Sequence, residues 1–355
     1  MKRVVLALAS NQRYFPGLYC AVASSLSQLD ATGRVDLKVL DGGISEASRN
    51  ILSELVRNFG GSVQVELVPI DESIFCGAAL GPGRSHMAYC RILLPQLLDV
   101  PRVIYLDCDT FVFRDLSELF DFELPLDKIL AAVPDSETLT LRDDSRTLPE
   151  AMSLPDDGRY FNSGVMLLDL DKLRQQNFTE RSLEFFNNFS GLYRFHDQSA
   201  INFLLNGKIA ELPEHWNRAA WRFDEQNNNA LNCVLHYTRS APWLRGTPGP
   251  AQALFERFAS DAGLLINRQT ADFRKSRWQN FRRNVLAPLR AAVFPLASLF
   301  YQIAGQEEKR ITYQKAARYW FNYIRKSPAR RRLYRRRVRE IARMKFNVPS
   351  LSVTA

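Results

Sequence analysis

RVIYLDCDTFVF, residues 102–113, joins a strand-forming apolar run to a pair of carboxylates. Val103, Ile104, Tyr105 and Leu106 lead into Asp107 and Asp109, with Cys108 between them. An apolar run this short, bounded by polar residues, predicts a strand buried on both faces. In open α/β sheets, ligands gather at the carboxyl ends of such strands. Alternate strand residues share a face, so Asp107 and Asp109 point the same way if extended geometry persists. Two carboxylates that close repel unless a cation sits between them. Hard oxygen donors suit Mg²⁺ or Mn²⁺, which would also bridge to a substrate phosphate. The alternative is a strand ending in an Asx turn, with one Asp capping a helix over 115–120. This short pattern alone does not choose between them.

Working outward, residues 3–9 read as strand and 16–29 as a helix with Pro16 in its first turn. Residues 35–40 and 63–68 are further strands. Between them, Ile51, Leu52, Leu55, Val56 and Phe59 share one helical face, stopped by Gly60 and Gly61. A glycine-rich link over 77–83 leads to a helix over 85–98 that carries Tyr89 and Arg91, and so to the central strand over 103–106. Beyond it come a strand over 129–133, a polar loop over 135–160, and a strand over 164–170. Helices over 171–189 and 197–206 follow. Strands alternating with helices predict βαβ units and a mainly parallel sheet.

The chain has 355 residues, 46% apolar and 24% charged, enough for one large domain or two modest ones. Its five cysteines are scattered without a C-x-x-C pair, which predicts reduced thiols in a cytosolic protein. The opening MKRVVLALAS imitates a signal peptide, but its apolar run is too short and a first strand fits better. No apolar stretch is long enough to span a bilayer. Charge is uneven. Residues 271–345 carry 21 Lys and Arg against 4 Asp and Glu, so that region is +17 and residues 1–270 are −8 of the total +9. An acidic body with a basic tail is the gross plan.

Further polar clusters fall at element edges. Asn162 lies at the mouth of a strand, in Tyr160-Phe161-Asn162-Ser163-Gly164. Asp197 and Gln198 open a helix, where Asp197 is either a functional carboxylate or simply the N-cap. His236 ends a short strand. It is either structural or a third ligand beside the two aspartates, its neutral imidazole completing a Mn²⁺ site.

Four blocks, RVIYLDCDTFVFRDLSELF, YFNSGVMLLDLDKLR, HDQSAINFLLNGKIAELPEHWN and LHYTRSAPW, follow one another in an order and spacing that resemble glycosyltransferase family 8. The resemblance covers residues 3–260. It implies a GT-A fold over residues 1–265, a UDP-sugar donor (UDP-glucose or UDP-galactose), Mn²⁺ or Mg²⁺, and transfer with retention to a lipopolysaccharide or other surface-glycan acceptor. By resemblance, Asp107, Asp109 and His236 are the metal ligands, and Arg91 approaches the donor phosphates or sugar. Asn162 lies near the donor sugar, Asp197 and Gln198 stand at the reacting face, and Tyr14 stacks on uracil. Two departures stand out. The family's acidic run after the first strand is Asn11-Gln12-Arg13-Tyr14 here, leaving Asn11 to bond the base. Ala241 replaces a lysine on the pyrophosphate, with Arg239 nearby as a substitute charge.

The tail, residues 266–355, mixes aromatics such as Trp278, Trp320 and Tyr323 with the arginine triplets 330–332 and 335–337. Basic amphipathic helices with interfacial aromatics suit an anionic membrane surface better than nucleic acid, placing the protein on the inner face of the plasma membrane. Two other classes compete. A haloacid-dehalogenase-type phosphohydrolase needs Thr two residues after its second Asp, and Phe111 stands there. A catalytically weak or inactive transferase domain acting as a membrane or nucleic-acid binding protein would bind through its tail regardless of Asp107, Asp109 or metal.

Overall fold

The computed structural model describes residues 3–29, 34–60, 62–78, 85–225, 231–238, 241–243, 249–264, 293, 295, 296, 332, 333, 335–346 and 348. Seven strands form one twisted sheet: β1 (Arg3–Ser10), β2 (Arg34–Asp41), β3 (Val63–Pro69), β4 (Arg102–Asp107), β6 (Leu130–Pro134), β7 (Phe161–Asp169) and β8 (Ile209–Glu211). Their order is β3-β2-β1-β4-β7-β6-β8. Pairing is parallel throughout except where β7 runs antiparallel to β4 and β6. A second sheet orders β5 (Thr110–Val112), β10 (Val234–His236) and β9 (Arg218–Ala219). The mixed α/β architecture with a mainly parallel sheet is the one the alternating pattern predicts, and the opening apolar run is the interior strand β1, beside the central strand β4.

Strand alternation divides the core in two. Val4, Leu6 and Leu8 of β1, with Ile104 and Leu106 of β4, pack under α1 (Phe15–Ser27), α2 (Glu46–Asn58) and the later helix Pro250–Asp261. Val5, Ala7 and Ala9, with Val103 and Tyr105, face the other layer. That layer holds the 3₁₀ segment Met87–Leu93, α3 (Leu170–Gln175), α4 (Phe178–Asn188) and α5 (Asp197–Leu204). Asp107 has the parity of Val103 and Tyr105, so it emerges on the second side.

Several local expectations are revised. The helix expected over 85–98 is mostly 3₁₀, followed by one α-turn, Leu94–Leu97. Pro95 has no N–H to continue an α-ladder back to Arg91. The helix expected over 171–189 is two, broken where Asn177 adopts a left-handed backbone at φ 46°. β7 begins at Phe161 rather than 164, so Asn162 lies inside the strand rather than at its mouth. Its pairing with β6 skips from Met166 to Asn162, a bulge that re-aims Asn162, Ser163 and Gly164. The one-turn helix Ser117–Phe120 has Leu116 at its N-cap position with no side-chain cap, and its Ser117 N–H donates to Asp115 Oδ1 at 2.8 Å, so neither Asp107 nor Asp109 caps it.

Part of the basic tail packs onto this body. Arg337, Ile341 and Val348 are buried, and Phe346 lies 5.3 Å from Phe258 and 6.0 Å from Phe113 between ring centroids. The guanidinium of Arg337 lies 4.4 Å over Phe223. Arg332, Arg335, Arg336, Arg339, Arg343 and Lys345 are exposed. Trp278, Trp320, Tyr323 and most of the tail lie outside the described residues. No helix among the described residues is long and apolar enough to cross a membrane.

Candidate active site

A cleft of about 630 Å³ opens at the carboxyl ends of β1 and β4, where chain direction across the sheet reverses. This is the expected place for a ligand in an open α/β sheet. Asp107 ends β4 there. Its Oδ1 accepts from Arg91 Nη2 at 2.7 Å and from the Tyr105 hydroxyl at 3.0 Å. Arg91, only 6% exposed, turns its Nε to Asp197 Oδ2 at 2.9 Å and donates from Nη1 to the Ser163 carbonyl at 2.6 Å. It thus ties the end of β4 to the first residue of α5. Burial disfavours the charge on Arg91, but Asp107 and Asp197 outweigh it and hold the guanidinium protonated. Burial pushes the Asp197 carboxyl up to about 6, offset only partly by Arg91. His196, not Asp197, occupies the N-cap position, so the capping alternative for Asp197 is set aside.

Extended geometry does not persist past Asp107. The chain turns at Cys108 and Asp109 and re-enters as β5, which runs antiparallel to β10. The turn, rather than strand alternation, brings the second aspartate round. The Tyr237 N–H donates to the Asp109 carbonyl at 3.0 Å, so β10 delivers His236 beside it. His236 Nε2 lies 3.2 Å from Asp109 Oδ1 and 3.7 Å from Asp107 Oδ2. One donor atom from each of the three residues falls within 4.8 Å of the others. Burial alone would lower the His236 pKa, but Asp109 and Asp107 raise it above its ordinary value. Two carboxylates and one imidazole are a donor set suited to a hard or borderline divalent cation.

The backbone shape of β7 keeps that space open. A Cβ on Gly164 would stand 2.1 Å from His236 Cε1 and 2.8 Å from Asp107 Oδ2. Gly164→Ala is therefore expected to displace both donors and to weaken Mn²⁺ binding by at least about tenfold, by analogy with other losses of ligand orientation. Titration of the Mn²⁺ signal by electron paramagnetic resonance checks this, and unchanged affinity would refute it.

Asn162 and Gln198 reach the same cleft. Asn162 Nδ2 donates to Asp135 Oδ2 at 3.0 Å, and its Oδ1 accepts from the Gly164 N–H at 3.0 Å. Gln198 Oε1 accepts from the Ser163 N–H at 3.0 Å. Tyr14 lines the cleft, its ring edge-on to Trp243 at 5.8 Å. Asn11 Oδ1 caps the turn at the Tyr14 N–H, and its Nδ2 donates to Ser85 Oγ at 3.3 Å. Ala241 lines the cleft; Arg239 lies outside the described residues. Asp135, at the carboxyl end of β6, and Asn217, just before β9, were missed from sequence. Position at a strand end was their only available signal.

Residues 5–247 match the family model described as glycosyl transferase family 8. The chain belongs to glycosyltransferase family 8. General stress protein A of Bacillus subtilis is 33% identical over 210 residues, covering 58% of this chain and 69% of that protein. The lipopolysaccharide 1,2-glucosyltransferase of Escherichia coli is 35% identical over 173 residues, 45% of this chain and 49% of that one. Among solved structures, the galactosyltransferase LgtC in complex with donor and acceptor sugar analogues superposes with a TM-score of 0.61 at 26% identity. That likeness covers 77% of this chain and 99% of LgtC. The family-8 assignment makes glycosyl transfer the activity class and GT-A the fold.

Proposed function

We propose that this family-8 protein transfers glucose or galactose from a UDP-sugar, with retention of configuration, to a lipopolysaccharide or other surface-glycan acceptor. The observation that carries the proposal is one cleft holding the Asp107–Asp109–His236 donor set and the Asp197–Gln198 pair, bridged by buried Arg91. Those three residues would hold Mn²⁺ or Mg²⁺, which when bound supplies positive charge against the departing diphosphate. Arg91 holds Asp107 and Asp197 in a fixed relation, so the donor phosphates and the reacting sugar are located by one rigid unit. Tyr14 offers a ring face to the uracil, while Arg239 is the candidate cation toward the pyrophosphate. Asn162 and Gln198 supply amide groups beside the sugar. Neither Asp197 nor Gln198 is unengaged: Asp197 Oδ2 is held by Arg91 and Gln198 Oε1 by the Ser163 N–H. This favours front-face departure and return over attack by either side chain.

The decisive experiment follows UDP release by the purified protein from UDP-glucose, UDP-galactose and their N-acetyl forms, with Mn²⁺ or with chelator. Metal-dependent release from one hexose donor is expected. Release unaffected by chelator would remove the metal from the proposal, and neither binding nor turnover of any donor would sink it.

The exposed arginines at 332, 335, 336, 339 and 343 support a second element, peripheral attachment to the inner face of the plasma membrane. The full chain should co-sediment with vesicles containing anionic lipid and come off as salt rises. Equal binding to neutral vesicles, or preference for RNA over vesicles, would overturn this.

A further inference from the structure

Resting on the metal-site reading above, one further role emerges behind His236. A line of side-chain hydrogen bonds runs from Asp135 to the imidazole, and each link has a fixed direction. Asp135 is the fixed end: its Oδ1 accepts from the N–H groups of Glu137 at 2.8 Å and Thr138 at 2.9 Å, and a carboxylate only accepts. Asn162 must therefore turn its Nδ2 to Asp135 Oδ2, at 3.0 Å. The Gly164 N–H, which can only donate, independently requires the Asn162 Oδ1 on the opposite side, at 3.0 Å. That oxygen accepts from Asn217 Nδ2 at 2.8 Å, which leaves Asn217 Oδ1 facing His236 Nδ1 at 3.0 Å. An amide oxygen cannot donate, so Nδ1 carries the hydrogen and a neutral imidazole has its lone pair on Nε2. Nε2 is the nitrogen that faces Asp109 and Asp107.

We propose that Asn217 is a positioning residue that fixes His236 in the Nδ1–H tautomer, with its orientation dictated through Asn162 by Asp135. The topology explains why it can. β9 pairs with β10 in register Ala219↔His236, so the residue immediately before β9 stands beside the ring. His236 is 4% exposed and Asn217 8%, so water does not compete freely for Nδ1. Without this acceptor the other tautomer would place a hydrogen between Nε2 and the two carboxylates, against a cation. Groups behind a ligating histidine commonly set metal affinity in this way.

The test combines two readouts on the full chain. ¹⁵N-histidine spectra of the metal-free protein, read at the alkaline limit of a pH series where the imidazoles are neutral, report the tautomer of each of the four histidines, with His236→Gln assigning the signal. Wild type should show protonated Nδ1 and bare Nε2 at His236. Asn217→Ala should mix the tautomers and weaken Mn²⁺ binding by about 10- to 100-fold. Asn217→Asp loses the bond to Asn162 Oδ1 but keeps an acceptor for Nδ1, so it should recover the tautomer and bind Mn²⁺ more tightly than the alanine variant. Protonated Nε2 in wild type, or Asn217→Ala with wild-type spectra and affinity, would overturn the proposal. So would a tautomer left unrestored by Asn217→Asp in a folded protein. Wild type with the stated tautomer but no Mn²⁺ binding would support the relay and refute the metal reading instead.

Discussion

Asp109→Ala is expected to lower UDP release by about 100- to 1,000-fold, the cost of losing a preorganised electrostatic group at a developing charge. The side chain sits at the rim of the cluster, about one quarter exposed, and its Oδ1 contacts His236 Nε2 at 3.2 Å. Its contacts are with the polar cluster rather than the apolar core, so the fold should survive with an unchanged circular dichroism spectrum and a similar Tm. The variant's residual rate should also become indifferent to Mn²⁺ and to chelator. Asp109→Asn separates charge from shape, because the amide keeps the volume and one oxygen but loses the negative charge. If Asp109→Ala keeps wild-type turnover and metal response, the cluster is not the metal site. The inactive-domain reading would then gain ground if tail binding to membranes were equally unaffected.

Arg91→Met should unfold the protein more readily than any other single change at the site. Arg91 is buried between two carboxylates, with Asp107 at 2.7 Å and Asp197 at 2.9 Å, and its guanidinium lies 4.6 Å over the Tyr105 ring. Methionine fills much of the volume but leaves two negative charges facing each other in a poorly hydrated place. Breaking a buried pair this way costs about 3–5 kcal/mol, and in a domain of this size that is a Tm loss of roughly 10 °C. The sign of its pH dependence follows from Asp197, whose carboxyl burial already pushes up to about 6. Without Arg91 that value rises further. A protonated Asp197 carries no charge to strand, so the deficit is smaller at pH 5 than at pH 8. Thermal melts at both pH values, with Arg91→Met/Asp197→Asn as the compensating pair, test this. An equal deficit at both pH values, or no relief in the double variant, would show that Arg91 acts through packing alone.

The β-strands were readable from sequence because their signal is local. β1, β2, β3 and β4 are short apolar runs with polar ends, and all lie within a residue or two of where the pattern puts them. The regions misjudged are those where a local rule met a competing constraint. Pro95 deprives the 87–97 segment of a regular α-ladder, Asn177 breaks a long amphipathic pattern with one left-handed residue, and the bulge in β7 hides its first residues. At the site, the Asp107–Asp109 and Asp197–Gln198 pairs were legible as short motifs, and His236, far along the chain, only through the resemblance of four sequence blocks to one family. Asp135 and Asn217 were not, since each is a single polar residue whose partner lies far along the chain.

By itself the sequence determined the α/β architecture, the family, and the aspartates, histidine, arginine and amides that converge on one cleft. The architecture follows from hydrophobic periodicity, and the family and its site residues from the resemblance of four ordered sequence blocks to glycosyltransferase family 8. Only the tertiary structure decided how they act together. A turn at Cys108, not strand alternation, aims Asp109 at His236. Arg91 is spent bridging Asp107 and Asp197, and Asn217 faces His236 because β9 pairs with β10. Hydrogen-bond direction and like-charge separation depend on distances of about 3 Å between residues distant in sequence, and no local pattern specifies those.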